Sequence, residues 1–243
     1  MTAMDDNPFA WDDSSKDVNS KVVGLSLTDG TGAPLDLAGQ MLEMFVPRDT
    51  KKNPVKPLEL NQFFADDPPM RVHKFNRTNN ESGVAVEILT FDPDIKFTVF
   101  LRYGKRPTAN HFDEFHTFPS QIEAKKMKKK PHPFTYVVPH NTLNIHIMNF
   151  TESLVNGTMA TEAPPSNDTE GITWFLGIKA INKDSLENPK TDYGMRIYLP
   201  SCKMFLEDLN TWTTKGCRVS IGFRNKFVGC SLKISLYVEL RAT

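Results

Sequence analysis

This 243-residue sequence has little of what a membrane-spanning or nucleic-acid-binding protein needs. Its apolar runs are only a few residues long, whereas a membrane helix requires about 20, so we do not expect the chain to cross a bilayer. Lys plus Arg and Asp plus Glu number 29 each, which argues against a basic footprint for nucleic acid or anionic lipid. Residues 1–20 are acidic and lack the basic-then-apolar order of a secretory signal. We expect them to form a disordered lead-in.

Catalytic motifs are missing as well. The sequence has no Gly-x-Ser-x-Gly elbow, no phosphate-binding glycine loop and no dinucleotide fingerprint. His111 and His116 invite a metal interpretation, but their five-residue spacing places them on opposite faces of a strand and about 140° apart on a helix. We therefore expect no metal, no cofactor and no enzymatic activity.

Alternating apolar residues are abundant. Period-two segments are separated by turns rich in Gly, Pro and Asp, and no long helical pattern lies between them. The segments fall at residues 23–27, 42–46, 84–88, 95–101, 134–138, 143–147, 172–178, 197–199, 219–223 and 232–240. This pattern predicts an all-β protein, an antiparallel β-sandwich with long loops and at most one or two short helices.

Two local details refine this prediction. The segments 84–88 and 95–101 flank the turn sequence Asp92-Pro93-Asp94, which predicts a hairpin. Residues 111–133 are the least strand-like part of the chain, and the capping-box spacing of Ser120 and Glu123 predicts one or two helical turns there. These turns end in the lysine-rich run 125–130, which we interpret as a solvated helix end. The alternative is that the run contacts a heparin-like polysaccharide or an anionic lipid.

Five Asn-x-Ser/Thr triplets fit the acceptor pattern for N-glycosylation. They begin at Asn76, Asn80, Asn149, Asn156 and Asn167. The last three crowd into residues 149–169, which also contain Pro164-Pro165 and are predicted to form one exposed loop. The alternative interpretation is that the triplets are ordinary polar loop residues.

The three cysteines lie close together near the end of the chain. Cys202 is followed by Trp212, then by Gly216-Cys217 and finally by Cys230. Any disulfide within the chain leaves one thiol over. The spacing suggests a disulfide-stapled turn that leads into a last strand.

These residues resemble part of a known family. The cysteine segment is similar to the GPS proteolysis motif of the GAIN domain, and the chain resembles the region before the first membrane span of polycystin-1-type receptors, which include the egg-jelly-receptor relatives. The earlier segments that carry the resemblance are Asn7-Pro8-Phe9, Ser20-Lys21-Val22-Val23, Phe45-Val46-Pro47, residues 97–104 and Pro133-Phe134-Thr135-Tyr136.

The resemblance implies a domain organisation and a cysteine pairing. It implies a β-sandwich similar to GAIN subdomain B over residues 21–230, with an incomplete GPS motif at 202–230 and a divergent, strand-like tail at 231–243. By the family pattern, Cys202 pairs with Cys230 and Cys217 keeps a free thiol. The scaffold positions of the motif are Trp212, Gly216 and Cys217.

The resemblance also implies that self-cleavage is lost. In the family, a histidine acts as general base while a Ser or Thr hydroxyl attacks the preceding carbonyl. The corresponding positions hold Ile234 and Leu236. Leu232 stands where the family has its fourth cysteine, and Ser235 stands where it has a leucine.

The function implied is that of a non-catalytic extracellular juxtamembrane domain. The chain would be a fragment of a polycystin-1-like membrane receptor or calcium-channel-associated protein, because it shows no signal sequence and no membrane helix of its own. The family acts at the extracellular face of the plasma membrane or cilium, with a polycystin-2-type channel subunit and extracellular ligands as partners. The alternative is a secreted β-sandwich module that binds carbohydrate or protein through exposed aromatic residues.

Overall fold

A computed structural model of the chain describes residues 2–4, 11, 22–24, 28–33, 41–44, 59–63, 70–77, 79–92, 94–119, 134–155, 172–182, 191–206, 209–214, 217–221 and 228–233. The chain divides into two compact units. One unit is Pro57–Pro200, and the other combines Met1–Lys56 with Ser201–Thr243.

The described residues form fifteen strands and one helix. The strands are β1 (Thr2–Met4), β2 (Val22–Gly24), β3 (Met41–Met44), β4 (Glu59–Phe63), β5 (Arg71–Arg77), β6 (Val84–Thr90), β7 (Ile95–Tyr103), β8 (Glu114–Phe118), β9 (Phe134–Val138), β10 (Ile172–Asn182), β11 (Thr191–Tyr198), β12 (Met204–Leu206), β13 (Thr211–Thr213), β14 (Cys217–Ile221) and β15 (Val228–Lys233). The helix, α1, is His140–Val155.

The unit 57–200 is an antiparallel β-sandwich, as the alternating pattern predicted. Sheet I has the strand order β5-β10-β7-β8, and sheet II has the order β4-β11-β6-β9. Phe97 of sheet I and Tyr193 of sheet II bring their ring centroids within 5.1 Å. Inward-facing residues of both sheets form one core, which includes Val84, Val86, Ile88, Val99, Leu101, Phe118, Phe134, Trp174, Leu176 and Ile178.

Helix α1 occupies residues for which the sequence predicted a strand. The alternation of Leu143, Ile145 and Ile147 was wrong as a strand signal, because Leu143 and Ile147 are also one helical turn apart. Leu143 is fully buried and Ile147 packs against the core, whereas Ile145 is exposed. The helix also extends to Val155, so residues 149–155 of the predicted exposed loop are helical.

The predicted hairpin of residues 84–88 and 95–101 is also wrong. β6 belongs to sheet II and β7 to sheet I, so the turn between them passes from one sheet to the other. Thr90 donates from its hydroxyl to the Asp92 carbonyl at 2.7 Å, and the Asp94 N–H donates to the Asp92 carboxylate at 2.9 Å. Local turn chemistry is therefore satisfied without pairing the two flanking strands.

The second unit contains three small antiparallel sheets. β1 pairs with β2, β12 pairs with β13, and β15 lies between β14 and β3. Within the expected lead-in 1–20, Thr2–Met4 is thus a strand. The first three residues of the expected tail, 231–233, end β15, and the rest of the tail lies outside the described residues.

A half-buried histidine in the edge strand β5 makes stability depend on pH. His73 faces the core beside Leu176, and its Nε2 is buried with no hydrogen-bond partner among the described residues. Burial lowers the pKa of His73 below its usual value, although the Glu59 carboxylate partly opposes this. The unfolded chain therefore binds a proton more readily than the folded chain, so stability present above pH ~6.5 is lost as the pH falls below it.

Replacing His73 with phenylalanine is expected to remove this dependence. Urea unfolding at pH 7.5 and 5 would show a smaller loss of stability on acidification than in the unaltered chain, and an unchanged or slightly higher stability at pH 7.5 because no unsatisfied nitrogen remains. His111→Gln is the control, since His111 is exposed in the turn with Thr108. Equal acid sensitivity of H73F and the unaltered chain would contradict the assignment.

Candidate functional site

A polar cluster lies inside the sandwich where β8 and β9 face each other. β8 reverses the usual pattern, because Glu114 and His116 point toward the interior with Phe118 while Phe115 is 56% exposed. The His116 ring stacks on Tyr136 of β9, with ring centroids 4.5 Å apart and planes inclined by 7°. Polar inward residues in a β-strand require partners, and the cluster supplies them.

Glu114 is the centre of this cluster. Its carboxylate accepts a hydrogen bond from the Tyr136 hydroxyl at 3.2 Å and pairs with His146 Nε2 of α1 at 2.9 Å. The side chains of His146 and Glu114 are 22% and 26% exposed, so the pair is reachable by water. The cluster joins the helix to both sheets, because Glu114 belongs to sheet I and Tyr136 to sheet II.

Burial and a neighbouring carboxylate keep the Tyr136 hydroxyl protonated. Burial, reinforced by the adjacent Glu114 carboxylate, raises the pKa of Tyr136 well above its usual value, so the phenol is the donor at neutral pH. Burial also raises the pKa of Asp113, although its Oδ2 accepts the Tyr103 N–H at 2.7 Å and the His146 and Arg102 charges act in the opposite direction.

The contacts of Glu114 and His146 engage both groups in holding α1 to the two sheets. Glu114 already has two donors, and neither contact presents an activated nucleophile. No three His, Cys, Asp or Glu side chains come together as a metal-binding group in the part of the chain that the structure describes. The geometry of the cluster is that of a structural clamp.

The cysteine segment lies in the other unit. Cys202 is buried and disulfide-bonded. Because the chain has three cysteines, a bond within it joins Cys202 to Cys217 or to Cys230. The side chains of these two residues lie outside the described part, so the pairing of Cys202 with Cys230 stays a prediction.

The backbone positions of three residues of the expected motif are nevertheless described. Trp212 is half-buried at the centre of β13 and lies opposite Phe205 of β12. Cys217 begins β14 opposite Leu232, and Cys230 of β15 lies opposite Val219. The remaining motif positions lie outside the described residues, namely Gly216, Ile234, Ser235 and Leu236.

Three of the five expected glycosylation positions can be placed. Asn80 is exposed in the turn before β6, and Asn149 is exposed on α1. Asn76 is half-buried in β5, where its Oδ1 accepts the Thr173 hydroxyl at 3.2 Å. Asn156, Asn167 and the helical turns expected at residues 120–130 lie outside the described residues.

Sequence reasoning missed the polar cluster. The sequence predicts neither a metal site at His116 nor a strand around it, because residues 111–133 are the least strand-like part of the chain, whereas β8 runs from Glu114 to Phe118. The available signal was the alternation of Glu114 and His116 with Phe115, which has the period of a strand but the polarity inverted. No helix in the described ranges is long and apolar enough to span a membrane.

No known protein family, curated protein or solved structure matches this chain.

Proposed function

We propose that the chain is a non-catalytic extracellular domain that acts beside the membrane in a polycystin-1-like receptor or calcium-channel-associated protein. The observation that carries the proposal is the disulfide at Cys202. Disulfides persist in oxidising environments and are rare in the cytosol, which favours an extracellular location. The disulfide also lies in the segment whose cysteine, tryptophan and Gly-Cys spacing resembles a GPS motif.

The proposed role is structural. Ile234 and Leu236 stand where the family has its base and nucleophile, and neither side chain can accept a proton or attack a carbonyl. The segment would therefore remain covalently continuous. The proposed partners are a polycystin-2-type channel subunit and extracellular ligands, reached through the whole receptor.

Secretory expression of the chain with a tag at each end tests this proposal. We expect one full-length band that carries both tags, and peptide mapping that finds Cys202 in a disulfide. Two fragments cut near Ser235 would contradict it. The matched variant Ser235→Ala removes the nearby hydroxyl, so fragments that disappear in S235A would establish self-cleavage at that residue.

A second candidate is a secreted β-sandwich module that binds carbohydrate or protein. The observation that favours it is the Phe115 ring of sheet I, which is 56% exposed and continues a row of aromatic rings. The Phe115 ring lies 5.1 Å from the ring of Phe112, which in turn lies 5.3 Å from Phe100. Exposed aromatic side chains of this kind supply contact area at low entropic cost.

A further inference from the structure

The outward face of sheet I combines cations with aromatic rings. Because side chains alternate along a strand, the residues between the core positions of β5, β7, β8 and β10 point away from the sandwich. The cations among them are Lys74, Lys96, Arg102 and Lys179, and the aromatic residues are Phe100, Phe115 and Phe175. We call this surface the basic face.

The basic face is open at its edges and filled at its centre. Lys74, Lys96 and Phe115 are exposed, and Phe175 and Lys179 are half-buried. At the centre, Met70 and Pro107 lie over Gly177, where no side chain could be accommodated without moving them. The result is a filled, continuous surface instead of a cleft.

The register sets the cations around an aromatic ring. Phe175 of β10 lies between Lys74 of β5 and Arg102 of β7, so the two cations stand on either side of it. Strands are about 4.8 Å apart, which separates the two backbones by about 10 Å. Lys179 lies beside Thr98, and Lys96 lies beside Ile181 on the next row.

The charge of this face is one-sided. Its described strand residues include no carboxylate, although the chain as a whole has equal numbers of acidic and basic residues. Lys74, Lys96 and Lys179 form no ion pair with any described residue. The acidic residues Asp92 and Asp94 lie in the turn before β7, at one end of the surface. Asp113, whose carboxylate accepts the Tyr103 N–H, lies close enough to Arg102 for their charges to interact.

We infer that the basic face binds a sulfated polysaccharide chain. Sulfate groups would pair with the lysines and Arg102, and the apolar faces of the sugar rings would cover Phe115 and Phe175. A surface several strands wide suits an extended polymer. The inference rests on the proposed extracellular location, and the Cys202 disulfide favours a glycan over nucleic acid because disulfides persist in oxidising compartments.

The test measures binding of a fluorescent heparin decasaccharide to the secreted full-length chain at several salt concentrations. The face variant K74Q/K96Q/K179Q removes three charges. The matched control K125Q/K126Q/K128Q removes three charges from the lysine-rich run. Circular dichroism and thermal melting confirm that both variants fold.

We expect the unaltered chain to bind saturably, with an affinity that falls as the salt concentration rises. The face variant should have an at least ~10-fold higher Kd and a weaker dependence of Kd on salt. The control should have a Kd within about twofold of that of the unaltered chain. Loss of binding in the control alone, no binding by the unaltered chain, or equal binding of desulfated polymer would overturn the inference. So would tighter binding of single-stranded RNA or of phosphatidylserine vesicles. A self-cleaved chain or a reduced Cys202 would contradict the proposed function. Heparin binding is measured separately, so it would still be tested in that case.

Discussion

Replacing Arg77 with methionine is expected to lower the free energy of unfolding by about 3 kcal/mol. Arg77 is fully buried at the end of β5, and its guanidinium donates three hydrogen bonds. Nε donates to the Ser82 carbonyl at 2.7 Å, Nη2 to the Asn80 carbonyl at 2.6 Å, and Nη1 to Asn144 Oδ1 of α1 at 2.8 Å. Methionine fills much of the space but leaves these acceptors without their donor.

Two opposing contributions set the size of this loss of stability, namely the desolvation of the charged guanidinium and the three hydrogen bonds that it donates. Burial lowers the pKa of Arg77 to about 10, so the side chain is still protonated at neutral pH and its desolvation opposes folding. Removing the charge recovers that cost. An acceptor that stays buried and unsatisfied costs about 1–3 kcal/mol. Among the described residues, the carbonyl of the exposed Asn80 has a second donor, the Asn144 side-chain amide at 3.0 Å.

Urea unfolding of R77M measures the change, and Arg102→Met is the matched control. Arg102 is half-buried and donates one bond of 3.2 Å to the Arg106 carbonyl, so R102M should lose well under 1 kcal/mol. Arg77→Lys should also be destabilised, because an ammonium cannot reproduce the planar fork of donors. A stability of R77M equal to that of R102M would show that the three bonds do not hold the turn and helix to β5.

The sandwich could be predicted from sequence because its strands obey the two-residue period on their core face. Val84, Val86 and Ile88 all enter the core, and so do Trp174, Leu176 and Ile178. The period does not say which strands pair, however. β6 and β7 are adjacent in sequence and joined by a turn, yet they belong to different sheets.

The helix and the polar cluster could not be predicted for a related reason. Leu143 and Ile147 satisfy both a strand and a helix, and only the packing of α1 against the core distinguishes the two. In β8 the inward positions are polar because Tyr136 and His146 come from distant parts of the chain to satisfy them. The local sequence of β8 does not indicate which distant residues will form hydrogen bonds with its polar side chains.

Arg77 and Glu114 hold the helix in a similar way. Each uses a buried or half-buried polar group of sheet I to contact one residue of α1, namely Asn144 or His146. Leu143, which is fully buried, adds an apolar contact of the helix with the core. The helix is thus fixed by specific hydrogen bonds as well as by burial, which suits a domain whose proposed role is to keep one fixed shape.

Replacing Cys202 with serine is expected to lower the free energy of unfolding by about 3–4 kcal/mol, because the disulfide that it forms would no longer restrict the unfolded chain. The family resemblance predicts Cys230 as the partner, which closes a loop of about 29 residues. Pairing with Cys217 would close a shorter loop, and the chain-entropy estimate for it is also about 3 kcal/mol. The size of the loss therefore does not identify the partner.

The comparison of the three serine variants does identify it. If Cys202 pairs with Cys230, C202S and C230S should lose the same stability, while C217S should unfold like the unaltered chain and contain no free thiol. Urea unfolding with and without reductant, combined with thiol titration, measures both properties. Equal destabilisation of C202S and C217S with an unaffected C230S would contradict the pairing that the GPS resemblance implies. It would remove the cysteine pattern from the support for a polycystin-1-like domain, while the disulfide itself would still favour an oxidising compartment.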